Sequence, residues 1–237
     1  LHLCDRRQRQ MCIRDSMRRV YIVVEGQTEQ EFVNTVISPY LQEFGVFNIT
    51  PVLIRTSRNG RGGMVNYQHL WNTVKSLLGS SRNDFVVTTF IDFFRIPNTM
   101  PRYEECMAKA SKIERVKALE SAMNEHIGDR RFFSYIQLHE FEALLFSNNN
   151  GFEYYFSEEC AKKTNNIVSS YENPEDINSS PEGAPSKRLL ALKSDYNKVL
   201  EGNLIALEVG IMSMLEKCPR FNGWITQIID TCKISVE

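Results

Sequence analysis

No stretch of the chain approaches the ~20 consecutive apolar residues that a helix needs to cross a bilayer, and no helical membrane span is predicted. Cysteine is sparse and scattered: the six, at positions 4, 12, 106, 160, 218 and 232, form no CxxC pair. That spacing argues against a zinc ribbon and against a disulfide framework, so free thiols in a cytoplasmic protein are the expectation. The four histidines are equally dispersed, which speaks against a His-rich metal site. An excess of one charge is missing too. A formal net charge of −1 argues against a protein that coats DNA by electrostatics alone. It still leaves room for a local basic groove, or for a partner that supplies the basic surface. No internal repeat and no long low-complexity segment occurs. Residues 1–16 (LHLCDRRQRQMCIRDS) have no apolar segment of the secretory type and neither a helical nor a strand period. They resemble translated adaptor or vector sequence, are expected to be a non-native or disordered leader, and are set aside.

What is present is the composition of an ordinary globular domain, 42% hydrophobic and 24% charged over 237 residues. That length suits one generous domain, or one domain with a helical extension. Residues 20–24 (VYIVV) read as a strand buried on both faces. Gly26 ends it, and Thr28 with Glu31 fit a capping box that opens a helix. Phe32, Val36, Tyr40 and Phe44, flanked by Val33, Ile37 and Leu41, make its buried stripe. Pro39 is expected to kink or split it. Residues 47–54 read as a second strand, 57–63 (SRNGRGG) as a flexible basic loop, and 67–78 as a second amphipathic helix. Residues 84–91 (DFVVTTFI) are a third buried strand with Asp92 at its carboxyl end. A charged helix is expected over 103–126 and a fourth strand over 132–138, which runs into a helical HEFEALLF at 139–146. This alternation predicts an α/β fold: a mostly parallel sheet with helices on both faces, over residues 17–150. From Gly151 the pattern becomes helical, with periods at 185–201, 203–216 and 221–231 and Pro219 between the last two. Residues 151–237 are expected to be a C-terminal helical extension packed on the α/β domain.

Sites in such sheets lie at the carboxyl ends of the strands, where Glu25, Asp92, Glu140 and Glu142 all fall. Hard divalent cations such as Mg²⁺ take oxygen ligands, usually one or two carboxylates plus water and phosphate. Two such ions can activate a water and stabilise a leaving oxygen. Glu25 either ligates such an ion or takes a proton from the attacking water, and a helix N-terminus near Thr28 would favour an anion in the same space. Taken singly, each acid reads equally well as a solvated turn or cap residue. SRNGRGG offers Arg58 and Arg61 to a phosphate among glycines that permit close backbone approach. It lacks the lysine and Ser/Thr of a P-loop and reads equally as a mobile surface loop. Lys187 and Arg188 stand in the first turn of a helix that Pro185 opens, where cations are unfavourable unless an anion is near. Ordinary solvated charge is the plainer alternative. His139 abuts the acidic pair and is a candidate acid/base or ligand, although a lone strand-end histidine is more often structural.

Several segments in order carry a resemblance: VEGQTEQEFVN (24–34), RNGRGGMVNY (58–67), the strand ending at Asp92, YIQLHEFEALLFS (135–147), PEDIN (174–178), APSKRL (184–189) and CPRFNGWI (218–225). Together they resemble domain-of-unknown-function family 4276, over Met17 to nearly the end of the chain. That family is regarded as Toprim-like. The resemblance therefore implies a Toprim-like sheet and Mg²⁺ (or Mn²⁺) chemistry on phosphodiesters, with a glutamate after the first strand and an Asp-x-Asp after a later one. Carried over, Glu25 matches the glutamate and Asp92 the first aspartate, but Phe94 stands where the second belongs. Either Glu140 and Glu142 complete the metal site or the site is not that of a standard nuclease. The resemblance also implies a bacterial defence or mobile-element setting, with nucleic acid and an AAA/ABC-type ATPase as partners. Two other readings stay open: a non-catalytic module that regulates an ATPase partner, and an enzyme acting on a small phosphorylated substrate.

Overall fold

The apolar run near the start of the chain is the middle of a parallel sheet. In a computed structural model that describes residues 18–55, 64, 66–177 and 183–233, β1 (Arg19–Val24) lies between β2 (Ile49–Leu53) and β3 (Phe85–Asp92), parallel to both. β4 (Phe132–Phe133) and β5 (Ile136–Gln137) pair in parallel with the other side of β3. All eight residues of β3 are buried, as a strand covered on both faces must be. The two-residue period of the strands divides the core. Val20, Ile22, Val24, Val86 and Phe90 face one apolar cluster, and Val23, Phe85, Val87 and Ile91 face the other.

The helices follow in chain order. α1 (Gln27–Phe32) passes through a π-helical turn (Val33–Ile37) into α2 (Ser38–Glu43). Pro39 has no N–H to give and crowds the carbonyl four residues earlier. The widened turn just before it absorbs that conflict without breaking the helix. α3 (Tyr67–Leu78) follows β2. Between β3 and β4 there are two helices instead of the single one expected: α4 (Tyr103–Met107) and α5 (Lys112–Ile127). Ser111 restarts the chain with a true capping box to Glu114, which a count of apolar spacing passes over. The expected fourth strand is likewise divided. Thr89 Oγ1 donates to the Tyr135 carbonyl and accepts from its N–H, both at 2.8 Å, so a side chain replaces the ladder between β4 and β5. The capping box proposed at Thr28 and Glu31 is absent. Gly26 is the N-cap, Thr28 is buried within the helix and Glu31 is exposed.

The C-terminal half continues as α6 (Glu142–Leu145), α7 (Asn150–Tyr155), α8 (Glu158–Ser170), a 3₁₀ turn (Pro174–Asp176), α9 (Pro185–Leu192), α10 (Glu201–Val209), α11 (Ile211–Lys217) and α12 (Pro219–Cys232). The helix expected over 185–201 stops at Leu192, and that over 203–216 is divided at Gly210, whose φ is +74°. These helices share the core of the sheet. Trp224 of α12 stacks on Phe90 and Tyr135, with ring centroids 5.4 and 4.6 Å apart, and donates its Nε1–H to Thr88 Oγ1 at 2.9 Å. Cys106, Cys160, Cys218 and Cys232 are free thiols. Among the described residues no helix is long and apolar enough to cross a membrane.

α7 and α10 meet backbone to backbone at Gly151, where a Cβ would lie 2.6 Å from the Ile205 carbonyl oxygen and 2.8 Å from its Cγ2. Neither atom is a free side-chain end, so the helices must part to admit a methyl group. Gly151→Ala is expected to lower stability by about 1–3 kcal/mol, read as a lower urea midpoint. An unchanged midpoint would contradict this close approach.

Candidate functional site

Pairing β1 with β3 sets Val24 beside Phe90, so Glu25, just past β1, and Asp92, at the end of β3, emerge at one edge of the sheet. Glu25 accepts the Met64 N–H at 2.9 Å and the Asp92 N–H at 3.5 Å. Asp92 Oδ1 accepts the Phe141 N–H at 3.1 Å. Phe141 reaches it because His139, with φ +71°, takes the left-handed conformation, while its carbonyl accepts the Phe94 N–H at 2.9 Å. The chain thus turns from β5 across the strand ends and delivers Glu142, fully buried, at the start of α6. Glu29 enters from α1 and is also buried. A Cβ on Gly26 would come within 3.0 Å of Glu29 Oε2, so the glycine leaves space for that carboxylate.

A cation stands among these acids. Lys198 Nζ lies 3.2 Å from Glu142 Oε2, 3.3 Å from Glu29 Oε1 and 3.8 Å from Asp92 Oδ2. It projects from residues 193–200, between α9 and α10. Glu201 clasps that segment, binding the Lys193 ammonium and accepting the Asn197 N–H at 2.8 Å. Three carboxylates therefore share this ammonium, with Glu25 beside them within reach of its charge. Burial pushes Glu25 above the usual carboxylate range and Glu29 adds to it, against the Met64 N–H. Burial raises Asp92 well above its ordinary value; Lys198 opposes this, and Glu29, Glu25 and Glu142 reinforce it. Glu142 is raised by burial, with Lys198 pulling it back. Burial disfavours the Lys198 charge, but Asp92, Glu142 and Glu29 outweigh it and its pKa rises.

Of the candidates read from the sequence, the structure brings Glu25, Asp92 and Glu142 together. Glu140 is held apart from Lys198: it accepts the Ser186 N–H at 3.1 Å and the Ser186 hydroxyl at 2.9 Å, and so caps α9. His139 is buried, its pKa lowered to about 4 by burial and the nearby Lys112. Its imidazole is neutral at neutral pH, and its visible part is the turn. Arg188 donates to the carbonyls of Gly183 at 2.8 Å and Ile177 at 3.4 Å, which ties down the approach to α9. Lys187 is exposed. Arg58 and Arg61 lie outside the described residues; the segment that carries them is followed by Met64, whose N–H is on Glu25. Two participants were not read from the sequence. Glu29 is four residues after Glu25, across a glycine. Lys198 lies in DYNK, whose Asp and Asn are turn formers inside what counted as a helix.

Carboxylate oxygens are the donors that Mg²⁺ and Mn²⁺ take. Among the described residues no three acidic, histidine or cysteine side chains cage an ion by themselves. Magnesium needs no such cage, since it takes one or two carboxylates and fills its remaining positions with water and phosphate. Among the described residues both Glu142 oxygens are buried without a hydrogen bond, and Lys198 answers one of them as an ion pair. The donor set and these unsatisfied oxygens fit a hard divalent cation.

A family model described as "Domain of unknown function (DUF4276)" matches residues 24–229. No curated protein and no solved structure matches the chain.

The matched span includes the PEDIN and CPRFNGWI segments, which meet β5 just behind the site. Glu175, with no exposure, accepts from Gln137 Nε2 at 3.3 Å, and Tyr135 donates its hydroxyl to Gln137 Oε1 at 2.7 Å. Glu175 Oε2 has no hydrogen-bond partner among the described residues. Burial raises this carboxyl from 4.5 to about 7, with Arg220 opposing. A folded-state pKa above the unfolded one gives stability that is present below 4.5 and lost as pH rises through about 7. Glu175→Gln carries no charge to bury. It is expected to match the wild type at about pH 4 and to exceed it by on the order of 3 kcal/mol at about pH 8. Urea unfolding across pH checks this, and a difference independent of pH would refute it.

Proposed function

We propose that this chain, which belongs to the family of the domain of unknown function DUF4276, is a Mg²⁺- or Mn²⁺-dependent phosphodiesterase acting on nucleic acid at the acidic edge of its sheet. One observation carries the reading: Glu25, Glu29, Asp92 and Glu142 converge there around the Lys198 ammonium, the one cation paired with them among the described residues. A buried group of acids favours a cation, and the carboxyl ends of parallel strands are where α/β folds place their ligands. A bound divalent ion would polarise a phosphoryl oxygen and lower the pKa of water.

The chain's own residues supply the rest. Asp92, oriented by the Phe141 N–H, and Glu142 are the ligand candidates. Glu25 is fixed by the Met64 and Asp92 N–H groups. Its raised pKa suits it to take a proton from an attacking water, because a general base works best when its pKa approaches the working pH. Glu29 and Glu142 supply acid that position 94, a half-buried phenylalanine, does not. The resemblance to Toprim-like nucleases supports a phosphodiester substrate, and we extend the proposal on that ground to a bacterial defence or mobile-element locus with an ATPase partner. The Lys198 ion pairs favour a second reading, in which the acids are neutralised internally and the chain is a non-catalytic module on such a partner.

Incubation with plasmid DNA, linear DNA and RNA in Mg²⁺ or Mn²⁺ separates the two. The wild type is expected to cleave at least one of these, and Glu25→Gln to lose about 100-fold or more of that rate, the usual contribution of a positioned base. Cleavage that survives the substitution would remove Glu25 from the mechanism. Absence of cleavage on every substrate would leave the binding-module reading.

A further inference from the structure

We infer that Lys198 is an internal counter-cation that competes with a divalent metal ion for the acidic cluster, so that the ion enters only when this side chain swings out. The inference rests on the metal reading above and adds a control to it. Three contacts carry it. The ammonium is within 3.2–3.8 Å of Glu142, Glu29 and Asp92 at once, beside the carboxylates that would hold a divalent ion. Two cations cannot share that space without strong repulsion.

The side chain is also placed to leave. Lys198 keeps 36% of its side-chain surface exposed, whereas Glu142 keeps 0%. The cation therefore sits at the mouth and the acid at the floor. Its backbone is fixed by Glu201, through the Lys193 ammonium and the Asn197 N–H, and by Tyr196, which is buried against Gly202. Release is then a rotation of four flexible methylenes and needs no movement of the loop. Return is favoured because Lys198 is the cation paired with the buried Glu142 carboxylate among the described residues. A ligand that binds only the open form has its apparent affinity reduced by the fraction of protein that is open.

Isothermal titration of Mn²⁺ into wild type, Lys198→Met and Lys198→Arg tests the competition. If the open form is a minor one, removing the ammonium should tighten Mn²⁺ binding by about tenfold or more, while the arginine variant, which keeps a cation, should stay within about twofold of the wild type. Equal or weaker binding in Lys198→Met would overturn the inference and leave the metal site standing. Failure of wild type and Lys198→Met alike to bind Mn²⁺ would overturn both. A measurement on the wild type alone guards against a methionine variant that does not fold. Saturating Mn²⁺ should raise the acetylation of Lys198 by an N-hydroxysuccinimide ester several-fold, read by peptide mass spectrometry. Unchanged labelling while Mn²⁺ binds would show that the ion does not displace it.

Discussion

The neutralisation of carboxylates at the end of the sheet is the constraint around which this molecule is arranged. Parallel β1 and β3 bring Glu25 and Asp92 to one edge, and Glu29 and Glu142 arrive there from the two helices that start beside it. Buried acids at such spacing repel one another, and each loses the solvation of its charge. The chain answers with backbone N–H groups from Met64, Asp92 and Phe141 and with the ammonium of Lys198. The remaining deficit appears as the raised pKa values of Glu25, Asp92 and Glu142.

That answer depends on the C-terminal half being a fixed part of the structure. Lys198 would be useless as a counter-charge if α10 moved relative to α1. Asn203 Nδ2 donates to the Thr28 carbonyl at 3.3 Å, which joins the two helices at the residue next to Glu29. Gly151 lets α7 meet α10 at backbone distance, and Trp224 seats α12 on β3 through a hydrogen bond and two stacked rings. Tight packing of this kind transmits position, so the ammonium is held near the acids by apolar contacts far from any charge.

Much of the frame was legible in the sequence, because a strand buried on both faces leaves an apolar run that few other structures produce. VYIVV and DFVVTTFI located β1 and β3, and with them Glu25 and Asp92. What was not legible depended on partners distant in the chain. A template of cap residues directed attention to Thr28 and Glu31 and away from Glu29, whose role follows only from where β3 ends. Apolar spacing ran through residues 193–200 as though they were helical, because Leu192, Tyr196 and Val199 keep a helical interval. The turn there is set by the Glu201 clasp, a contact that no local period encodes. Glu140 and Glu142 looked equivalent, and only the Ser186 cap on one and the ammonium on the other distinguish them.

His139 stands, in the left-handed conformation, at the turn that leads from β5 to Glu142. A left-handed residue other than glycine costs about 1–2 kcal/mol, and β5 did not need to end on one. The turn is held from outside by the Phe94 N–H on the His139 carbonyl, so the residue at 94 contributes its backbone to the site. That bond and the left-handed turn together set the Phe141 N–H on Asp92 and place Glu142 on the floor of the cluster. The strain at His139 is thus the local cost of bringing the Glu142 carboxylate, at the start of α6, into the cluster with Asp92. Straightening the turn would release that strain, but it would also leave Asp92 buried without its N–H and Lys198 without its nearest partner.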